Sequence, residues 1–426
     1  MRSFLARRTA PACAALALCA PLAAHAVDED GPRPWRLGAQ QAMQAETNLF
    51  RQRSDEPCCA RDIISSTSLL AGLRAASGRQ RIDLDLDLSA NRFVKQKQLD
   101  NVGHALTLSW RGQSADRVSG SGEAWQRAQL FRYDPDTQRY ATERVTATDR
   151  GLWLSGEVGT VTAWTVEGGL QASELDHSGE TFDYRDRRQA GFNTALRWQP
   201  GPDWSSRVGL RHSAGTYPHA ARANDGSWIA NDFRRQDLEL RTRVTTAGQS
   251  DWVLRLARTR IDYERAGVDD RSDWTGEAQW IWTPSGKTRW TFRLRRDSEA
   301  TQYAIEGVGL DESGSGDRLG TQAGVQWRWQ PSAKLQVDVD ASLTRRRLTD
   351  VLTLTPDVAG SEPLVLTGRG RDELTRLSLR WSWEFERGWT AGCGIGQERR
   401  SNSVDATGTY PFKASTATCS VRVMTR

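Results

Sequence analysis

The chain has 426 residues, 18 tryptophans, six cysteines and a formal net charge of +5. Charges of both signs interleave along it instead of gathering into a basic patch, which excludes a nucleic-acid footprint and nucleic acid as a partner. No apolar run beyond the N-terminus is long enough for a membrane-spanning helix, yet strands with a thin apolar belt over a polar lining would still cross a membrane with this hydrophilic average.

In chain order, Arg2, Arg7 and Arg8 form a basic start, Ala10 to Ala23 an apolar run, and Ala24-His25-Ala26 a small-x-small cleavage site. Residues 1–26 therefore read as a secretory signal peptide. Cys19 follows the bulky Leu18, which disfavours lipid attachment there. Residues 27–45 read as a short periplasmic N-terminal segment, and 46–426 as one barrel domain.

From there the pattern is alternation with period two, the mark of strands with one dry and one wet face. Ile82, Leu84, Leu86 and Leu88 oppose Asp83, Asp85 and Asp87. Leu238 and Leu240 oppose Glu239, Arg241 and Arg243; Trp290, Phe292 and Leu294 oppose Arg293 and Arg295. Leu335, Val337 and Val339 oppose Asp338 and Asp340, and Arg380 stands in a strand ended by Trp381 and Trp383. A charge on a lipid-facing surface costs about 2–4 kcal/mol at mid-membrane, so these eleven charged residues are candidates for a lumen lining.

One hairpin unit recurs: an alternating strand with one or two tryptophans, a break of a few residues, and a second strand. It appears at 196–211, 277–296, 325–343 and 379–396, and more loosely at 106–122. Trp198, Trp280, Trp282, Trp327, Trp329, Trp381 and Trp383 sit just before these turns, as in an interfacial aromatic girdle. Between them lie polar, glycine-rich stretches, at 212–231, 298–316, 349–370 and 400–411, that read as long loops. Short turns alternating with long loops indicate periplasmic and extracellular ends.

The reading is all-β: a transmembrane antiparallel up-and-down β-barrel in the outer membrane of a Gram-negative bacterium, embedded in outer-membrane lipid. About seventeen strand candidates follow Asp62, and the segment 46–52 could add another. Even counts are the rule for bacterial barrels, so eighteen strands are expected, with sixteen as the alternative. Cys393 and Cys419 would lie opposite each other if their strands pair about a loop near Asp405, giving a candidate disulfide in an oxidising compartment. The vicinal Cys58-Cys59 finds no place in this scheme.

Catalysis has no visible apparatus. His104, His177, His212 and His219 lie in no serine or histidine motif, and His212 and His219 read as surface residues flanking a loop. The ladder Asp83-Asp85-Asp87 reads as a partner for arginines across the lumen in preference to a calcium site. No cofactor, metal or catalytic residue is assigned. The wet faces suit passage of a polar solute by many weak contacts.

The region 46–122 resembles the EpsL-type outer-membrane proteins of exopolysaccharide gene clusters, often associated with exosortase systems. The resemblance is carried by Thr47-Asn48-Leu49-Phe50-Arg51, Gly78-Arg79-Gln80-Arg81, Asn91-Arg92-Phe93, Leu99-Asp100 and Trp110, with the later W-x-W hairpins and Cys419-Ser420-Val421. Thr47 departs from the family's usual aspartate, and the ending Val423-Met424-Thr425-Arg426 lacks a terminal aromatic. The resemblance implies a barrel for biosynthesis or export of extracellular polysaccharide, with that polymer and other export-machinery proteins as partners, and carries no catalytic residues. The alternative is a general diffusion porin or nutrient channel, with 349–370 as its inward-folded constriction loop.

Overall fold

The computed structural model describes residues 34–53, 60–114, 117–134, 139–159, 161–222, 227–246, 249–264, 270–307, 310–356, 364–402 and 410–425. The signal peptide, Cys58-Cys59 and Asp405 lie outside them.

Among the described residues, eighteen strands form one sheet: β1 Trp35–Glu46, β2 Asp62–Ser77, β3 Gln80–Phe93, β4 Asn101–Ser114, β5 Val118–Tyr133, β6 Tyr140–Val158, β7 Trp164–His177, β8 Arg187–Gly201 and β9 Trp204–Arg222 make up the first half. The second half is β10 Trp228–Thr246, β11 Ser250–Tyr263, β12 Arg271–Ser285, β13 Thr288–Gly307, β14 Leu310–Ser332, β15 Leu335–Pro356, β16 Leu364–Glu386, β17 Trp389–Asn402 and β18 Phe412–Met424. Each strand pairs antiparallel with the next, and β1 pairs with β18 from Gly38↔Met424 to Glu46↔Thr416. The sheet is thus a closed barrel with no free edge, the condition for strands to cross lipid.

The expected count of eighteen holds, but one strand lies elsewhere than expected. β1 is drawn from the segment read as periplasmic, so the barrel begins at Trp35 and not at residue 46, while 47–52 forms the β1–β2 connection. Its outward face carries Gln41 and two alanines beside Trp35, Leu37 and Met43, too faint an alternation to stand out.

The even-to-odd connections are tight. β12–β13, β14–β15 and β16–β17 turn over the residue pairs Gly286-Lys287, Ala333-Lys334 and Arg387-Gly388. Gly388 has φ +81, a left-handed conformation that only glycine adopts freely. The start of β1, Trp35, and the end of β18, Met424, lie on this side, which is the periplasmic one by the loop-length rule. On the odd-to-even side three of the four stretches expected as long loops are largely strand, and most of the fourth, 403–409, lies outside the described residues. β9 and β10, β13 and β14, and β15 and β16 continue their pairing through most of 212–231, 298–316 and 349–370 as protruding ribbons. At 349–370, the stretch expected as a constriction loop, Thr349 pairs with Arg369 and Leu354 with Leu364, and 357–363 lie outside the described residues.

Large apolar side chains are exposed along alternate positions, as at Leu69, Leu88, Leu106, Leu154, Leu210, Leu238 and Leu254. In lipid this is their buried state. The girdle tryptophans lie on the same face and pack across strands. Trp252 and Trp280 stack at 5.0 Å, Trp280 and Phe292 at 4.9 Å, and Trp290 and Trp327 at 5.7 Å. Cys393 and Cys419 face each other between β17 and β18 with Cα atoms 4.0 Å apart and are joined by a disulfide. They share the parity of Ile395 and Val421, so the sulfurs are on the lipid-facing side.

Candidate functional site: the barred mouth and charged wall

The faces opposite the apolar rows carry charge. Arg197 of β8 reaches Glu157 of β6 at 2.7 Å and Glu167 of β7 at 3.4 Å. Arg207 of β9 joins Glu167 at 2.6 Å to Glu239 of β10 at 2.6 Å, and Arg255 of β11 closes on Glu239 at 2.5 Å. Signs alternate around the wall, so each ion lost from bulk water is met by counter-ions on both sides. Glu239 is only 6% exposed despite its charge.

At the extracellular end, the β5–β6 hairpin turns inward. Its register slips between Phe131 and Tyr133, where Phe131↔Val145 is followed by Tyr133↔Tyr140. Such a bulge bends and re-aims a ribbon. Three side chains within four residues then enter three separate apolar clusters. Leu130 packs on Leu49, Phe50, Ile64, Phe93 and Leu99; Phe131 on Ala141, Val145, Phe182 and Tyr184; Tyr133 on Leu374, Phe412 and Ala414. Polar contacts reach further. Arg132 pairs with Glu46 of β1 at 3.2 Å, and the Arg400 guanidinium of β17 donates to the Tyr133 hydroxyl at 3.2 Å. Contacts from β5 to β1, β17 and β18 can form only through the barrel interior.

A second inward segment meets the first. The 3-10 helix Glu180–Arg185, between β7 and β8, lies against β9 and reaches β13. Tyr184 donates to the fully buried Asp134 at 2.5 Å, and Arg185 pairs with the same carboxylate. His177 and His219 both donate to Asp186, at 2.9 and 3.1 Å, which ties β7 and β9 to the helix's end. Beside them, burial first and then the neighbouring Asp186 raise the Asp183 carboxyl above its ordinary value. Together the hairpin and the helix form a bar from β13 to β17 across the mouth.

The residues singled out in the sequence lie on the charged face but do not converge. Asp83 holds Arg74 at 2.8 Å and Arg81 at 2.6 Å, and Asp85 holds Arg36 of β1. Their arginines thus come from β1, β2 and β3 and not from across the lumen. Asp87 lies on the same β3 face, with one oxygen unpartnered. Arg293 meets Glu277 at 3.2 Å and Arg295 meets Asp297. Arg243 meets Asp251 at 3.2 Å; Arg241 shares its face and is exposed. Asp338 meets Arg328 at 2.7 Å, and Arg380 stands 3.8 Å from Asp340. They are panels of the wall, spread over β3, β10, β13, β15 and β16.

Sequence reasoning missed the mouth. Arg400 and Asp372 are buried and paired at 2.8 Å, Arg346 joins Asp372 at 2.7 Å, and Arg51 bridges Glu46 and Glu398. His219 is a partner of Asp186 and not a bare surface residue. A signal existed in Leu130-Phe131-Arg132-Tyr133, where apolar residues occupy both parities and so require both faces to be covered. The segments Thr47–Arg51, Asn91–Phe93 and Leu99-Asp100 come together here. Leu49, Phe50, Phe93 and Leu99 share one cluster, the Phe93 N–H donates to Asp100 at 2.8 Å, and Asn48 bonds the Gln52 carbonyl at 2.9 Å.

No protein-family model matches the chain, and no curated protein matches it. Among solved structures it is similar to the FrpB iron transporter of Neisseria meningitidis (F5-1 variant, apoprotein form), with 8% identity, 93% of this chain and 82% of that chain covered, and a TM-score of 0.50. OpdK of Pseudomonas aeruginosa, solved with vanillate, is 12% identical over 92% of this chain and 99% of that one, with a TM-score of 0.47. OccAB3 of Acinetobacter baumannii is 8% identical over 92% and 98%, with a TM-score of 0.46. At such identity the likeness concerns the fold alone. Closed strands, an outward apolar band, an aromatic girdle and a charged interior make the protein a β-barrel of the Gram-negative outer membrane.

Proposed function

We propose that the protein is a channel for small polar solutes, kept narrow at its extracellular mouth. The observation that carries this reading is the bar made by the β5–β6 hairpin and the helix Glu180–Arg185, locked by Asp134. A conduit for a bulky polymer gains nothing from a bar across its entrance. A diffusion channel gains selectivity, because fixed charges beside a constriction act on every solute that passes. The alternating wall supplies both signs of charge for ions or neutral hydrophilic nutrients, and no catalytic step is assigned to it. The test is conductance of the purified barrel in planar bilayers. Small, salt-dependent steps that enlarge when residues 130–142 are replaced by a short turn support the channel. Silence from both proteins would sink it.

A second reading keeps the EpsL-type resemblance and gives the barrel a part in extracellular polysaccharide biosynthesis or export. One observation favours it. Trp125 and Trp153 share the inward face of β5 and β6, and the Trp125 indole lies over Gly151, where an added Cβ would come within 2.4 Å of the ring. Flat aromatic faces in a polar passage suit sugar rings. Deleting the gene separates the readings: loss of secreted polysaccharide with intact solute uptake favours the second, and the converse favours the first.

A further inference from the structure

The outward face of β17, β18, β1 and β2 differs from the rest of the lipid-facing surface. Small side chains on β18 and β1, including Ala417 and Ala45, lie between bulkier Leu377, Leu379 and Ile395 on one flank and Ile63 on the other. The result is a furrow of about 890 Å³ in the hydrocarbon-facing surface. Hydrocarbon must fill such a furrow, because an apolar void loses its dispersion contacts.

The extracellular rim of the furrow is cationic. Arg61 and Lys95 line it, and Arg399 and Lys413 stand opposite each other just beyond, on the outward parity of β17 and β18. Lys95 is held in place: the Val94 N–H donates to the Ile63 carbonyl at 3.0 Å, and the Lys95 and Gln96 N–H groups donate to Asp62 at 3.0 and 2.8 Å. Two carboxylates lie at the rim, Glu46 and Asp62, and both are buried. Glu46 is taken by Arg51 and Arg132, and Asp62 by these backbone donors. Among the described residues, no outward position of β17, β18, β1 or β2 is a carboxylate. Elsewhere several outward arginines at this height have acidic partners: Arg150 and Arg188 share Glu174, Arg234 has Glu264, Arg260 has Asp262 and Arg345 has Glu373, while Arg258 lies over the Trp274 ring.

Four cations with no acidic partner among the described residues, above an acyl-sized furrow on the extracellular side of the membrane, match a phosphorylated lipid standing in the outer leaflet. We infer that this face is a binding site for an acylated phosphoglycolipid of the lipid A class: Arg61, Lys95, Arg399 and Lys413 hold the phosphates, and one acyl chain fills the furrow over Ala45 and Ala417. Cations near a membrane surface each contribute to attracting anionic headgroups. The site lies outside the lumen and is independent of what the channel carries.

The test is native mass spectrometry of the full chain in detergent, incubated with bis-phosphorylated lipid A, with dephosphorylated lipid A or with phosphatidylglycerol. The bis-phosphorylated lipid is expected to stay bound. Arg61→Glu with Lys95→Glu should cut the bound fraction at least tenfold, in protein whose folding is checked by heat-dependent gel mobility. Ala45→Trp with Ala417→Trp fills the furrow, leaves the cations in place, and should cut retention comparably. Equal retention of the dephosphorylated lipid or of phosphatidylglycerol overturns the assignment, as does unchanged retention in either double variant.

Discussion

The two ends of the barrel are built by different means. At the periplasmic end each turn joins neighbouring strands through a few residues, and the tryptophans stack on those of adjacent strands. At the extracellular end the contacts join residues remote in sequence. Tyr133 and Arg400 are 267 positions apart, and Arg132 and Glu46 are 86 apart. Local, repeated contacts make the first end tolerant, since losing one leaves its neighbours intact. The second end depends on single buried carboxylates that several segments share, and it is where a channel would be controlled.

The sharpest test of that difference is Asp134→Ala. It removes the carboxylate that Arg185 and Tyr184 share, and breaking a buried pair of this kind costs about 3 kcal/mol. Single-channel recording should show longer and larger openings; unchanged conductance would mean that the bar is not held by this carboxylate. Next comes Glu239→Ala, which leaves Arg207 and Arg255 without their shared partner. The expected loss is about 2 kcal/mol, smaller because lumen water solvates the arginines, with reversal potentials moving toward anion selectivity. A barrel that keeps both its stability and its selectivity would show the wall ladder to be incidental.

At the tolerant end, Trp280→Ala removes a stack against Trp252 and Phe292. Urea unfolding in liposomes should show a loss of about 1 kcal/mol and unaltered conductance. A conductance change would break the proposed separation of the ends. The smallest effect is expected for Asp183→Asn. The folded state raises this acid's pKa above 3.8, through burial and then Asp186, with Glu180, His177 and His219 also close. An acid raised on folding favours the docked helix below its ordinary pKa and withdraws that support as pH rises through the folded value. Hydrogen exchange at 180–185 should therefore speed up as pH rises from about 4 toward neutrality once the intrinsic rate is divided out. The variant should flatten that dependence; an equally steep curve would assign it to the histidines.

Much of the wall was legible because its cause is local. Alternation such as Ile82-Asp83-Leu84-Asp85 states which residue meets lipid, and tryptophans before a Pro-Ser or Arg-Gly break state where the interface lies. β1 escaped because Gln41 and alanines dilute its dry face, so only pairing with β2 and β18 reveals it. The protruding ribbons looked like loops because strands beyond the membrane need no apolar face. The bar escaped for a different reason. Asp134, Asp372 and Arg400 derive their environment from partners on other strands, and a polar residue beside a turn has no sequence mark that says it will be buried. Leu130-Phe131 was the one warning, and a period-two template discards it.

The Cys393–Cys419 bridge has a consequence for the order of events during assembly. Its sulfurs face the acyl chains between Ile395 and Val421. Thiol–disulfide exchange proceeds through a thiolate, a species that hydrocarbon does not support. Once the barrel is in place, the pair lies on the lipid side at the level of Trp381, where water-soluble reductants and oxidases meet it only at the membrane interface. The bond forms most readily while the last hairpin is still in the aqueous periplasm, and a bond made then would record that β17 and β18 met before the wall closed on β1. A mass-tag assay should find the bridge oxidised and refractory to dithiothreitol in the inserted protein, and reducible only after denaturation.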